Sequence, residues 1–214
     1  MSRPSDPRLL VLHGLRLAGA AEPRDVADAV GLPVDDVRAR LGPLEAEGLV
    51  THRTAPPAGW LLTPSGREEH ARLVQAEARE TGARPAIERA YDRFRALNPA
   101  VLDACSRWQV REVAGRTVRN DHGDPDHDAA VVSDLVRLHR RAEPVLDELA
   151  AALDRYRPYG PRLRRALDRV LAGEREWFTA PSIPSYHTVW FELHEDLLTT
   201  LGRSRSAEVS EAVP

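Results

Sequence analysis

The stretch from Val34 to Thr63, VDDVRARLGPLEAEGLVTHRTAPPAGWLLT, constrains the fold more than any other, because its periodicity passes from helical to strand-like within one short run. Val34, Val37, Leu41 and Leu44 recur at helical spacing, which gives one apolar face that turns inward. Gly48 follows the charged end Glu45-Ala46-Glu47 as a helix-ending glycine should. Leu49-Val50-Thr51 and Trp60-Leu61-Leu62-Thr63 read as two short strands, joined by a tip that carries Pro56, Pro57 and Gly59. Upstream, Pro23 to Val30 makes a short helix closed by Gly31, with Leu32-Pro33 as the turn. Helix, tight turn, helix and hairpin in that order predict a winged helix-turn-helix, whose second helix is the one that enters a DNA major groove.

The flanks agree with this reading. Leu9 to Leu17 is a short apolar helix ended by Ala18-Gly19, and His13 within it reads as a structural histidine. Thr63-Pro64-Ser65-Gly66 opens the next helix, with Thr63 as the capping residue and Pro64 at the first position, where a missing N–H costs nothing. That helix runs to about Glu80, and Gly82 closes it.

The run LEAEGLV (44–50), the hairpin after it, and LTPSGREEHARLV (62–74) together resemble the winged-helix domain of MarR-type transcriptional regulators. The resemblance covers roughly the first third of the chain and does not extend to the rest. It implies binding of double-stranded DNA as a homodimer on a pseudo-palindrome, with the helix after the wing leading from DNA towards the dimer interface. Arg38 and Arg40 lie on the expected recognition helix, and His52 and Arg53 start the wing. An arginine fork can hold two acceptors at once, so Arg38 and Arg40 are the candidates for the major groove and His52 and Arg53 for phosphate or minor groove. Asp35 and Asp36 oppose this: they suit the positive end of the helix but repel phosphate. Residues 1–75 hold nine Arg against ten Asp plus Glu, so the domain is neutral overall and any DNA contact must come from local distribution.

A length of 214 residues suits one large or two small domains. The expected division is a winged-helix domain over 1–75, an all-helical sensor and dimerisation domain over 76–203, and a disordered tail over 204–214. The fold class is therefore mainly α, with one short β-hairpin wing. All 30 basic residues counted as Lys or Arg are Arg, and the net charge of −3 argues against non-specific coating of nucleic acid. A single cysteine, Cys105, excludes an internal disulfide framework. The start MSRPSDPRLL lacks the apolar run of a signal peptide and no segment approaches a membrane span, so a cytoplasmic protein is expected.

Beyond residue 75 the chain carries ten of its eleven Trp, Tyr and Phe residues. One helix is expected to end near Leu97 and another to start at Asn98-Pro99, with an irregular segment after Gly115. The run Asn120 to Asp128 holds four carboxylates and two imidazoles, of which His122, Asp124, Asp126 and His127 are weak candidates for a divalent metal. Its spacing matches no EF-hand and no zinc-helix motif, and Asp124 or Asp126 capping the following helix explains it without metal. A further restart is expected at Pro144 and a turn at Pro158 to Pro161. The last helix, YHTVWFELHEDLLTTLG, stacks Tyr186, Val189, Trp190, Leu193 and Leu197 on one stripe. His187 and His194 stand about 10 Å apart along its axis, too far to chelate one metal unaided. With Trp177, Tyr186 and Trp190 they form the candidate site for a small-molecule effector, since a pocket needs apolar walls and a few convergent polar groups. The same residues equally suit a closed helical core.

The reading that follows is an effector-responsive, homodimeric transcriptional regulator. One alternative is a winged-helix protein-interaction module that does not touch DNA. The other is a metal-dependent hydrolase using the 120–128 run with His187 or His194. No nucleophile elbow, phosphate loop or paired zinc histidines occurs, so neither enzymatic activity nor a cofactor is expected.

Overall fold

A computed structural model describes residues 4–113 and 115–203. The expected disordered tail, 204–214, lies outside the described residues. The chain is mainly helical and carries two antiparallel two-stranded hairpins. No helix among the described residues is long and apolar enough to cross a membrane. The residues gather into two compact units: one of those up to Ile87, Ala150–Pro158 and those from Glu195 on; the other of Glu88–Leu149 and Tyr159–His194.

The first unit begins with α1 (Pro7–Ala18), α2 (Pro23–Val30) and α3 (Val34–Ala46), followed by β1 (Val50–Arg53), β2 (Gly59–Leu62) and α4 (Pro64–Glu80). Local chemistry sets the helix ends. Asp6 Oδ1 accepts from the Arg8 amide at 2.7 Å at the start of α1, and Gly31 ends α2 in the left-handed region. Thr63 Oγ1 accepts from the Gly66 amide at 3.0 Å and starts α4, with Pro64 at the first position. Val11, Leu12, Leu15, Val26, Val37, Leu41, Leu44, Val50 and Leu62 form the core of this unit.

Two glycines seat the hairpin. Val50 faces Leu62 and Arg53 faces Gly59, while Ala21 and Trp60 exchange both backbone hydrogen bonds at 3.0 and 2.9 Å. Gly59 has φ +115°, and a Cβ there would lie 2.9 Å from the Ala21 backbone. At Gly66 a Cβ would run into the Leu49 carbonyl, so α4 can approach β1 only through glycine.

The second unit contains most of α5 (Arg84–Gln109) and α6 (Pro125–Ala152), the strands β3 (Val110–Val113) and β4 (Arg116–Arg119), α7 (Tyr159–Leu171), α8 (Glu176–Thr179) and the first part of α9 (Tyr186–Leu201). Four sequence expectations are corrected here. The helix expected to end near Leu97 continues through Pro99, and α6 continues through Pro144. Both prolines point to solvent, and the apolar stripes of Tyr91, Phe94, Leu97, Val101, Ala104 and Trp108, and of Leu138, Ala142, Val145 and Leu149, run past them unbroken. Burial along these stripes offsets the roughly 3 kcal/mol that an interior proline costs. Asn98 does not cap a new helix; its Oδ1 accepts from Trp190 Nε1 at 2.9 Å. The segment around Gly115 is not irregular: Val110 pairs with Arg119 and Val113 with Arg116 in a second hairpin. The turn expected over 158–161 is already the first turn of α7 from Tyr159 on.

Candidate nucleic-acid interface

Helix α3 buries Val37, Leu41 and Leu44 and turns Asp35, Asp36, Arg38, Ala39, Gly42, Pro43, Glu45 and Ala46 outward. The outward face is thus charged in its first turns and, apart from Glu45, small-sided further along. Both arginines are held by acids of the same helix. Arg38 Nη1 donates to Asp35 Oδ1 at 3.2 Å, and Arg40 Nη1 donates to the Asp36 carbonyl at 2.8 Å with the Asp36 carboxylate 3.7 Å away. Exposed pairs of this kind are worth about 0–1 kcal/mol, so exchange for a phosphate or base edge costs little. The far end of α3 is anchored by Arg8, whose two terminal nitrogens donate to the two Glu47 oxygens at 2.6 Å each.

On the hairpin, His52 lies against Trp60 with ring centroids 5.1 Å apart. Arg53 is exposed and its guanidinium has no ion-pair partner among the described residues. The four residues expected to meet DNA therefore fall on one unit: Arg38 exposed on α3, Arg40 half-buried at its flank, and His52 and Arg53 on β1.

Beneath this surface lies a buried polar network that local sequence patterns do not reveal. His13 Nδ1 and His70 Nε2 are 3.0 Å apart, and His13 Nε2 lies 3.1 Å from Asp196 Oδ2. Arg155 donates to Asp196 Oδ1, to Glu77 Oε2 at 2.7 Å, to Thr200 Oγ1 at 2.6 Å and to the Tyr156 hydroxyl at 3.1 Å. Burial alone would raise the Asp196 carboxyl, but Arg155 above all, and then His13, hold it well below the usual carboxylate range. Burial pushes His70 well below the ordinary histidine value, and His13 and Arg155 push the same way. His70 Nδ1 is buried with no hydrogen-bond partner among the described residues. The members come from positions 13, 70, 77, 155, 156, 196 and 200, so only the long-range fold assembles them. His13 was expected to be structural; its partners carry no local signal.

Among the described residues, the candidate effector side chains pack against rings and guanidiniums. Tyr186, Trp190 and His194 are buried; Trp190 stacks on Phe94 at 4.5 Å and His194 tilts against the same ring at 5.2 Å. The space bounded by Phe94, Leu97, Val145, Leu146, Trp190 and Leu193 has no room for a water molecule. Trp177 lies elsewhere on the surface of this unit, under the guanidiniums of Arg165 and Arg169, and His187 is half-buried. As packed, these rings close a core.

The acidic and imidazole run also resolves into internal bonds. Asp124 Oδ1 accepts from the His127 amide at 3.1 Å and so caps α6. His122, in the left-handed region at φ 59°, lies 2.9 Å from Asp128 through Nδ1 and packs on Trp108. His127 Nε2 donates to the Arg107 carbonyl at 3.0 Å, and Asp126 is exposed on the first turn of α6. Among the described residues no three His, Cys, Asp or Glu side chains converge as metal ligands. Cys105 is buried and its thiol is pushed up to about 12 by that burial, which removes it as a nucleophile.

Compared with protein-family models, curated proteins and solved structures, the chain matches none of them.

Proposed function

We propose that this chain is a cytoplasmic DNA-binding transcriptional regulator whose first unit is a winged helix-turn-helix resembling the MarR type. In this reading α3 enters the major groove with Arg38 and Arg40, and the β1–β2 wing sets His52 and Arg53 on the sugar–phosphate backbone. The observation that carries it is the exposed part of α3: Arg38 and, at the flank, half-buried Arg40 on weak, exchangeable pairs, with Ala39, Gly42, Pro43 and Ala46 keeping the face shallow apart from Glu45. The neighbouring hairpin, fixed at Gly59 and Gly66, adds Arg53, which has no ion-pair partner among the described residues. Binding as a homodimer on a pseudo-palindromic site belongs to the same reading, because two-fold proteins read two-fold sites.

One observation favours a second reading. Asp35 and Asp36 already neutralise Arg38 and Arg40, which suits a module that meets another protein rather than DNA. Fluorescence anisotropy with duplexes selected from a random pool separates the two. The full chain should select a consensus, and Arg38→Ala/Arg40→Ala should weaken binding by about 1–3 kcal/mol per lost base contact and relax the consensus. Failure of the unaltered chain to bind any duplex at about 0.1 M salt would overturn the regulator reading.

A further inference from the structure

Where the end of α5, the β3–β4 hairpin and the start of α6 meet there is a cleft of about 410 Å³, wholly within the second unit. Its walls include Arg107 from α5, Arg111, Glu112 and Thr117 from the hairpin, and Asp124 from the cap of α6. Two guanidiniums therefore line the same space as two carboxylates, and the lining is balanced rather than basic or acidic. His127 lines it too, with its Nε2 already given to the Arg107 carbonyl. Such a wall has little net pull on a simple anion or cation. It complements a small molecule that carries both charges itself, because each ligand charge then meets its opposite.

The charged groups differ in how firmly they are held. Arg107 is committed on two sides, its Nε donating to Asp103 at 2.7 Å and its Nη2 to Asp134 at 2.8 Å. Glu112 accepts from the Thr117 hydroxyl. Arg111 is held loosely. Its Nη2 donates at 3.0 Å to Asp121, a side chain 71% exposed whose same oxygen also accepts from the Gly123 amide. Its Nη1 stands 3.6 Å from Asp124 Oδ2, too far for a hydrogen bond. Its Nε is buried and has no hydrogen-bond partner among the described residues, and a buried donor costs free energy until an acceptor meets it. Asp124 Oδ1 takes the His127 amide, while Oδ2 accepts no hydrogen bond among the described residues. The cleft thus holds an unsatisfied guanidinium beside an unsatisfied carboxylate oxygen, a pair left open rather than closed on itself.

We infer that this cleft binds a free α-amino acid, whose carboxylate meets Arg111 and whose ammonium meets Asp124. The two ligand charges stand on one carbon, which suits two protein charges that stand this close together. A guanidinium fork is well matched to a carboxylate, and both contacts are charge-assisted. The inference concerns the second unit alone and stands whether or not the first unit binds DNA.

The test is a thermal-shift screen of the full chain against the proteinogenic L-amino acids, each alone at on the order of 10 mM, followed by calorimetric titration of the strongest. At least one should raise the midpoint. Its N-acetyl form and its primary amide should each bind roughly tenfold or more weakly, since each loses one charge-assisted contact. A dipeptide that begins with the same residue, with its charges farther apart, should also bind more weakly. Arg111→Met should lose affinity and become indifferent to amidation of the ligand. Asp124→Asn, which still caps α6, should lose affinity and become indifferent to N-acetylation. A merely structural role for either residue would weaken all ligand forms alike. If Arg111→Met fails to fold by circular dichroism, the blocked ligands on the unaltered chain and Asp124→Asn decide the matter. No midpoint shift with any amino acid, blocked forms or a dipeptide that bind as tightly as the parent, or loss without the crossed indifference overturns the inference. Since no duplex is present, none of these outcomes bears on the regulator reading.

Discussion

Arg155 should be the most costly single side chain to remove from the first unit. It is fully buried, and its guanidinium meets two carboxylates, Glu77 and Asp196, which are 11% and 0% exposed. Arg155→Met fills a similar volume but leaves Asp196 with His13 as its remaining counter-group, and leaves Glu77 facing an apolar side chain. It also strips a donor from Thr200 and from Tyr156. Breaking one side of a buried pair costs about 3–5 kcal/mol, because the orphaned charge keeps its desolvation penalty. The network itself is worth much less than that, since desolvation of three charges offsets most of their attraction. The triple variant Arg155→Met/Glu77→Gln/Asp196→Asn, which removes all three charges and keeps their shapes, should therefore recover most of the loss.

The assay is urea unfolding of the full chain followed by circular dichroism and by tryptophan fluorescence. Trp60 reports on the first unit, and Trp108, Trp177 and Trp190 on the second. Transitions that fail to coincide show the units unfolding separately, in which case the loss belongs to the Trp60 signal. A loss below about 1 kcal/mol in Arg155→Met, or a triple variant no better than the single, would refute the argument that orphaned charge is what makes the site costly.

Acid should destabilise the first unit before ordinary carboxylate titration begins. The folded His70 value is lowered, so below about 6.5 the unfolded chain takes up a proton that the folded one refuses, and stability falls with falling pH by up to about 1.4 kcal/mol per pH unit. Asp196, held low, adds its share above the ordinary aspartate value of about 3.8 and loses it only below that. Urea midpoints between about pH 7 and pH 5 should thus slope downward in the unaltered chain and flatten in His70→Phe; parallel slopes would remove His70 as the cause. The hairpin glycines give a contrast of sign: Gly59→Ala and Gly66→Ala should each lose about 1–3 kcal/mol in thermal or urea unfolding through backbone overlap. Gly42→Ala, with open space at its Cβ, should gain about 0.5–1 kcal/mol from helix propensity.

What could be read from the sequence divides by range. The ends of α1, α2, α3 and α4 follow from residues within one turn of each: Asp6, Gly31, Gly48, and Thr63 with Pro64. The prolines misled because a local rule met a non-local force. Pro99 and Pro144 sit on the solvent side of long stripes, and whether a helix survives them depends on what those stripes bury. The second hairpin did leave a local signal, Val-Arg-Glu-Val and Arg-Thr-Val-Arg about a glycine turn. It was masked because both strands are exposed and polar, without the apolar alternation that marks a half-buried strand. The aromatic stripe of α9 could not declare itself as wall or core, since only the facing Phe94 and Asn98 decide that.

The near-neutral charge of the first unit bears differently on the functional reading once the pairing is known. Summed charge treats Asp35 and Asp36 as repelling phosphate with full strength. In the structure each is already partnered by an arginine one turn on, so the first turns of α3 present paired charges, and Glu45 is the exposed acid further along. Such a face gains little from long-range attraction, which scales with net charge. In the proposed reading it would gain at contact, where the planar arginine fork can exchange a weakly held, exposed carboxylate for a guanine edge or a phosphate. A binder of this kind would take its sequence preference from α3 and its non-specific affinity from arginines that have no acid to leave. Arg53 on the first hairpin is such an arginine among the described residues. Specificity and affinity would then reside on different elements, which is why substitutions on α3 and at Arg53 are expected to separate a change of consensus from a change of salt slope.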